Sequence, residues 1–256
     1  MYKIPANTLF IGKKLVFVPE CHSTNSLALE LSQKEDLPEG TVVITSNQKQ
    51  GRGQQGNVWI SEPGKNLTFS LVLKPTFLAV KDQFLLNMVV SLAVRDFLQK
   101  YIQFKVFVKW PNDIMVDDHK VCGILIENQI QGAAFSSSVI GIGLNVNQRA
   151  FYSKNASSMA MLTSKSFELQ QLFEQLIEKL EARYLLLRKG FIAQIKDAYS
   201  SSLYGDKELR NFRTAEGAFE GEIAGVDDAG KLIIKTKNGT RHFNFKEVQF
   251  DFEPLK

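Results

Sequence analysis

The nine residues GRGQQGNVW, Gly51 to Trp59, decide how this chain is read. As a pattern they spell G-x-G-x-x-G, the phosphate-cradling fingerprint of a dinucleotide fold. That fold needs a strand before the glycines and a helix opening among them. The strand is present: TVVITS, Thr41 to Ser46, is β-branched and runs straight into the loop. The helix is not. NVWISEPGKN, from Asn57 onward, begins with β-formers and then meets Pro63 and Gly64, so the loop opens another strand. A nucleotide-binding oxidoreductase fails with the missing helix. What remains is a glycine loop carrying Arg52. Gly51 and Gly53 permit backbone conformations closed to other residues and close approach to a ligand. Arg52 offers a fork of donors to a carboxylate or phosphate. The plainer alternative is a tight hairpin turn with a surface arginine.

Bulk properties narrow the classes. The 256 residues are 44% hydrophobic and 23% charged, as in an ordinary globular protein with room for a principal domain and a small appendage. Lys plus Arg number 31 against 27 Asp plus Glu, a net charge of +4 without a concentrated basic face, which argues against non-specific nucleic-acid binding. Cys21 and Cys122 form no C-x-x-C pair, and His22, His119 and His242 lack the spacing of a metal site. No apolar run approaches the ~18 residues of a membrane span. The opening MYKIPANTLFIGKK lacks an apolar signal core with a small-residue cleavage site. A soluble cytoplasmic protein without a membrane partner is expected.

Strands and helices interleave along the chain. Leu15–Glu20, Thr41–Ser46, Asn66–Lys74 and Val106–Trp110 read as strands, the last stopped by Pro111. Asp113–Val116, Lys120–Gln129 and Ala133–Asn145 follow, joined by DDH and IQG turns. Helices are expected at Ser26–Glu35, Phe84–Tyr101 and Phe167–Leu187, the last with Leu169, Leu172, Phe173, Leu176, Ile177, Leu180 and Tyr184 on a core-packing face. After Tyr199 a polar SSSLYGD stretch leads into short strands separated by DDAG and KNG turns, with no further helix. The expected architecture is α+β: a mixed β-sheet packed with helices over residues 1–204, then a small antiparallel β-barrel over residues 205–256.

Three further stretches carry chemistry. KWPNDI places a cation, an amide and a carboxylate, Lys109, Asn112 and Asp113, at a strand end, where α/β proteins usually put ligand groups. Asp113 and Asn112 are hard oxygen donors suited to Mg²⁺ carried in by phosphates, or else a self-bonding turn. KVCGILIE sets Lys120 at the head of an apolar strand, with Gly123 leaving room for something flat; a merely solvated lysine is the alternative. GIGLNVN ends a second glycine-flanked strand at Asn145, which by itself indicates a bulge or a close backbone contact.

In this order, STN (Ser23–Asn25), GRGxxGNxW (Gly51–Trp59), KWPND (Lys109–Asp113), KxxGIL (Lys120–Leu125) and GIGLNxN (Gly141–Asn147) resemble the biotin protein ligases. The strand SEPGKNLTFSLVL resembles the family as well. The likeness runs by motif from Leu15 to Asn147 and more loosely beyond. It implies the biotin–lipoate ligase fold, akin to class II aminoacyl-tRNA synthetases, with a C-terminal barrel of Src-homology-3 type. It also implies two steps: biotin and Mg-ATP give biotinyl-5′-adenylate and pyrophosphate, then a lysine of a biotin carboxyl carrier domain takes the biotin and releases AMP.

The resemblance distributes roles. Lys120, Arg52 and Asp113 form the catalytic set, Lys120 stabilising charge in both steps and Arg52 lying in the loop that closes over ligand. Ser23, Thr24, Asn25, Gln48, Gly51, Arg52, Gly53, Trp59, Lys120 and Gly123 would contact biotin, with Trp59 as an apolar wall. Arg52, Asn112, Lys120 and Asn145 would contact ATP or the adenylate, and Asp113 and Asn145 would hold Mg²⁺ with the phosphates. Some family members carry a second arginine after the second glycine; here Gln54 stands there, followed by Gln55, which puts adenylate retention in question. About 20 residues precede Ser23, too few for the helix-turn-helix domain of the family's repressors, so a ligase without a DNA partner is expected. It would be a monomer or a homodimer. The alternatives are a lipoate protein ligase, which shares the adenylation logic, and a catalytically silent biotin-binding module.

Overall fold

The computed structural model describes residues 2–251, the side chain of Gln55 excepted. The first two apolar runs form β1 (Leu15–Cys21) and β2 (Val42–Gln48), joined through α1 (Thr24–Lys34) and parallel as such a crossover requires. The helix starts ahead of the expected Ser26 because the STN turn is its first turn. Ser23 caps it, accepting the Ser26 N–H at 3.5 Å. The glycine stretch is a miniature hairpin, β3 (Gly51–Arg52) and β4 (Val58–Trp59), around one 3₁₀ turn at Gln54–Gly56. β4 is shorter than the strand expected there. Then come β5 (Leu67–Leu73), buried at every position, and α2 (Phe84–Leu98).

Four strands follow: β6 (Val106–Lys109), β7 (Asp113–Val116), β8 (His119–Gln131) and β9 (Ala134–Leu144). After them lie α3 (Met159–Thr163), α4 (Leu169–Arg188) and α5 (Ile192–Ser200). Neither α3 nor α5 was expected from the sequence. Each is short, and α5 buries only Ile195 and Tyr199, too few for a periodic stripe.

The sheet runs β1-β2-β5-β9-β8-β7-β6, with β1–β2 the parallel pair and the others antiparallel. It has two unlike faces. On one, Phe69, Ile114, Ile124 and Ile142 join α2 and α4 in the main core, Phe69 meeting Phe173 edge-on at 5.5 Å. On the other, α1 covers part of the sheet through Ala28 against Val43, Val72 and Val139. The rest of that face is where the sequence motifs converge.

The remaining described residues build a second, antiparallel sheet: β10 (Leu209–Thr214), β11 (Gly217–Val226), β12 (Leu232–Thr236), β13 (Gly239–Phe243) and β14 (Gln249–Asp251), in the order β13-β12-β11-β10-β14. The KNG turn joins β12 to β13, with Thr236 opposite Gly239. Among the described residues β13 and β14 do not pair, so hydrogen bonding does not close a barrel. This sheet docks on the KWPND turn. The Trp110 indole N–H donates to the Gly230 carbonyl at 2.9 Å, and the Lys109 ammonium lies 5.2 Å from the Phe250 ring. Gly230, at φ +87°, has Phe84 packed where a Cβ would stand. Among the described residues no helix is long and apolar enough to cross a membrane.

Candidate functional site

Strand register brings the dispersed motifs together. Lys109 faces Asp113, Asp113 faces Gly123, Gly123 faces Gly143, and Gly143 faces Thr68, each across one strand boundary. Paired residues share a face of the sheet, so these five form a row across five strands. A second row is Leu125, Gly141 and Ser70. The face they make is cationic at its β6 end and lined by small or neutral polar groups toward β5.

A cavity of about 550 Å³ lies over these rows. Its walls are the first turn of α1, the glycine hairpin, the KWPND turn, and Phe245, Lys246, Gln249 and Phe250 of the second sheet. Of the residues expected at a site, Ser23, Thr24, Asn25, Gln48, Arg52, Gly53, Trp59, Asn112, Asp113, Lys120 and Gly123 all line it. Gly51 and Asn145 do not.

Gly51 is buried one step back, where a Cβ would fall 2.1 Å from the Trp59 carbonyl oxygen and 2.6 Å from the Gln48 amide nitrogen. It is a close-approach glycine with no left-handed backbone, and Gly53 sits at φ −112°. The left-handed residue of the loop is Gly56, at φ +86°. Asn145 lies behind the Lys120 end of β8. Its N–H donates to the Val121 carbonyl at 2.9 Å and its Nδ2 to the Ser157 carbonyl at 3.0 Å, while its Oδ1 is buried without a protein partner.

The neutral end is a connected network. Gln48 Oε1 accepts the Thr24 N–H at 2.8 Å and lies 3.3 Å from the Thr24 hydroxyl. Ser70 Oγ stands 2.7 Å from Thr24 Oγ1 and 2.5 Å from Asn25 Oδ1. The Asn25 amide donates to the Leu125 carbonyl at 3.3 Å and to Glu127 Oε2 at 2.9 Å. A Cβ at position 141 would come within 2.4 Å of Asn25 Oδ1, so Gly141 is what lets this amide lie on the sheet.

At the cationic end the Lys120 ammonium pairs with Asp113 Oδ1 at 2.6 Å. Burial holds the Lys109 pKa below the ordinary lysine range; Asp113 opposes that shift and Lys120 adds to it. Burial also pushes the Cys122 thiol up, so this cysteine is not a thiolate nucleophile. Asn112 is a brace: its Nδ2 donates to the Ile124 carbonyl, and its own carbonyl accepts the Ile124 N–H at 3.1 Å. Among the described residues no group of three or more His, Cys, Asp or Glu side chains could cage a metal. Asp113 does present a carboxylate to the cavity. That donor set suits Mg²⁺, which binds through one or two carboxylates plus substrate phosphates and water.

Between the two ends lies Trp59. Its indole spans Gly123 and Gly143, where added Cβ atoms would come within 2.9 Å and 2.3 Å of the ring. Lys120 Nζ stands 5.6 Å from its centroid, and the indole Nε1 is buried without a protein partner. Arg52 points differently: Nη2 meets Glu127 Oε1 at 2.6 Å and Nη1 meets Ser26 Oγ at 3.1 Å. Sequence reasoning did not select Gly143 or Glu127. Gly123, Leu125 and Glu127 alternate along one strand, so the period-2 rule applied to KVCGILIE would have put Glu127 on the site face. Nothing local in the sequence announces the second sheet as a wall.

A family model described as "Biotin/lipoate A/B protein ligase family" matches residues 18–145, half of the 256-residue chain, and one for "Biotin protein ligase C terminal domain" matches residues 211–251. Among curated relatives, the bifunctional ligase/repressor BirA of Bacillus spizizenii is 29% identical over 247 residues, covering 94% of this chain and 75% of its own. The biotin–[acetyl-CoA-carboxylase] ligase of Paracoccus denitrificans is 28% identical over 238 residues, covering 89% and 97%. The biotin protein ligase of Aquifex aeolicus, solved in complex with biotin and ATP, superposes with a TM-score of 0.77 at 24% identity, covering 93% of this chain and 99% of that one, which shows a shared fold. From Ser23 to Gly143 the matched span holds the cavity's lining apart from the wall that the second sheet supplies, and the chain belongs to the biotin/lipoate A/B protein ligase family.

Proposed function

We infer that this protein is an ATP-dependent biotin protein ligase. It joins biotin to ATP as biotinyl-5′-adenylate and passes the biotinyl group to a lysine of an acceptor protein. The observation that carries this is the polarity of one cavity. Neutral amide and hydroxyl groups stand at one end, and lysines with a carboxylate stand at the other. Biotin has the same layout, a neutral ureido ring and an anionic tail.

In the first step a carboxylate oxygen of biotin attacks the α-phosphorus of ATP and pyrophosphate leaves. Two anions must meet, and fixed cations offset their repulsion. Lys120 is assigned this role, with Lys109 beside it. Asp113, whose ion pair keeps Lys120 in place, would hold Mg²⁺, which lends charge to the phosphates. Asn112 supports that turn. Asn145, one layer behind, is read as bracing the segment under Lys120. Ser23, Thr24, Asn25 and Gln48 are assigned to the ureido ring, and Trp59 to the apolar wall over the glycine strands. In the second step the acceptor's neutral amine attacks the carbonyl carbon of the anhydride, AMP leaves, and the nitrogen loses a proton. Positioning of this kind can supply up to about 7–11 kcal/mol of a barrier.

The acceptor is a biotin carboxyl carrier domain, in line with the carboxylase named for the Paracoccus relative. Residues 205–256, of which 252–256 lie outside the described residues, are read as a separate C-terminal domain, and its described part has a barrel-like form. Phe212, Phe219, Phe243 and Phe250 contact one another across β10, β11, β13 and β14, as an inward-curled sheet would allow. Biotin-dependent exchange of pyrophosphate into ATP, with lipoate in parallel, tests the reading. Exchange with biotin is expected. Exchange with lipoate alone would overturn the specificity, and absence of both in folded protein would leave a binding module.

A further inference from the structure

We propose that Glu127 is a positioning residue for this reaction. It latches the glycine hairpin to the first turn of α1, so that the wall of the ligand cavity and the ureido-binding turn move together. The proposal rests on the ligase reading for its catalytic consequences, though the latch itself does not.

Glu127 stands on β8 at the edge of the site face, with its side chain one-quarter exposed. Its two carboxylate oxygens serve different elements. Oε1 takes Arg52 of the hairpin at 2.6 Å, and Oε2 takes the Asn25 amide of α1 at 2.9 Å. Asn25 continues through Ser70 to Thr24 and Gln48. One chain of polar contacts therefore runs from the loop arginine to the neutral end of the cavity. Ser26, next to Asn25 in the first turn of α1, adds a second contact to Arg52 at 3.1 Å. In this conformation the guanidinium faces Glu127 and Ser26, which makes Arg52 an anchor of the loop before it is a ligand contact.

The loop is worth anchoring because of what it separates. A second cavity, of about 950 Å³, lies on the outer side of the hairpin against the start of α2 and the second sheet. Arg52, Gly53, Gln54, Asn57 and Val58 line both cavities. The hairpin is the partition between the two spaces. Its own sheet contribution is two short strands, so few backbone bonds hold it. Arg52 is 45% exposed, and a pair that open to solvent is weak enough to release when acceptor must enter. A group that fixes this partition decides how long a reactive adenylate stays out of water.

The test uses the full chain with Glu127→Gln, Glu127→Asp, Arg52→Gln and the double Glu127→Gln/Arg52→Gln. Amide hydrogen exchange across residues 51–58, without ligand, reads the latch alone: exchange should quicken in both Gln variants and stay near the parent in Glu127→Asp. Biotin KM and kcat for pyrophosphate exchange, and biotinyl-adenylate escaping into solution without acceptor, read its consequence. Glu127→Gln should raise KM about tenfold, leave kcat near the parent value, and speed escape, with the double variant no worse than the worse single. Unchanged loop protection in Glu127→Gln, or additive losses in the double, would overturn the latch. Should Glu127→Gln fail to fold, the surface variant Arg52→Gln gives the same reading from the other partner. A parent that shows no exchange activity defeats the ligase reading, yet the hydrogen-exchange result still decides the latch.

Discussion

The two ends of the cavity are built on opposite plans. At the α1 end, Thr24, Asn25, Gln48 and Ser70 are bonded to one another, and all but Gln48 are nearly sealed from solvent. At the β6–β7 end, Lys120 and Asp113 make one pair, with side chains 35% and 24% exposed. The first plan suits a neutral ring whose donors and acceptors must be met in fixed positions, since an unmatched buried polar group costs about 1–3 kcal/mol. The second suits charge that changes during reaction, because a half-open ion pair can exchange partners at little cost. Trp59, on its two-glycine platform, is the boundary between them.

That contrast makes graded predictions. The largest effect belongs to Lys120→Ala, which removes charge stabilisation without opening the core. Adenylate formation should fall roughly 10²–10³-fold while the melting transition stays near the parent's; wild-type-like exchange would remove Lys120 from the mechanism. Next is Gly143→Ala. The added methyl carbon meets the indole at 2.3 Å and must push Trp59 aside. Overpacking of this kind costs about 1–3 kcal/mol, and biotin affinity should fall by about tenfold or more, with a change in tryptophan fluorescence. An unchanged spectrum and affinity would show that the indole has another place to rest.

Gln48→Ala removes the acceptor that orders Thr24. Losing about 1 kcal/mol, the variant should show a several-fold rise in biotin KM with kcat retained; a fall in kcat at constant KM would blur the division between the ends. The smallest effect is a pH dependence. Burial under the second sheet lowers the Lys109 pKa, so its charge is present at low pH and is lost as pH rises through that lowered value, earlier than for a solvated lysine. KM for ATP should therefore climb on the alkaline side, and Lys109→Arg, which stays charged, should flatten the climb. Identical alkaline limbs in parent and variant would exclude Lys109 from the ATP site.

Much of the fold was legible in the sequence because its signals are local. The β-branched runs became β1, β2 and β5, the KVCGILIE and GIGLNVN stretches became β8 and β9, and the apolar stripe from Leu172 to Tyr184 became the buried face of α4. The short α3 and α5 were not legible, since too few of their side chains are buried to leave a period. The helix start at Thr24 was hidden for a different reason: STN reads as a turn until Ser23 is seen to cap it.

The sequence by itself determined which candidate residues stand in which motif and in what order, because motif spacing and residue type are properties of the chain. Only the tertiary structure decided which of them meet. Register aligned Lys109, Asp113, Gly123, Gly143 and Thr68 from four separate stretches into one row, and hydrogen bonding between strands, which no single stretch encodes, sets that register. Packing set Gly51 close against Trp59 and Gln48 rather than against a ligand, placed Asn145 behind the wall, and gave Arg52 to Glu127. It also brought Phe250 over Lys109 from more than a hundred residues away, and burial is the largest cause that separates this lysine from a solvated one.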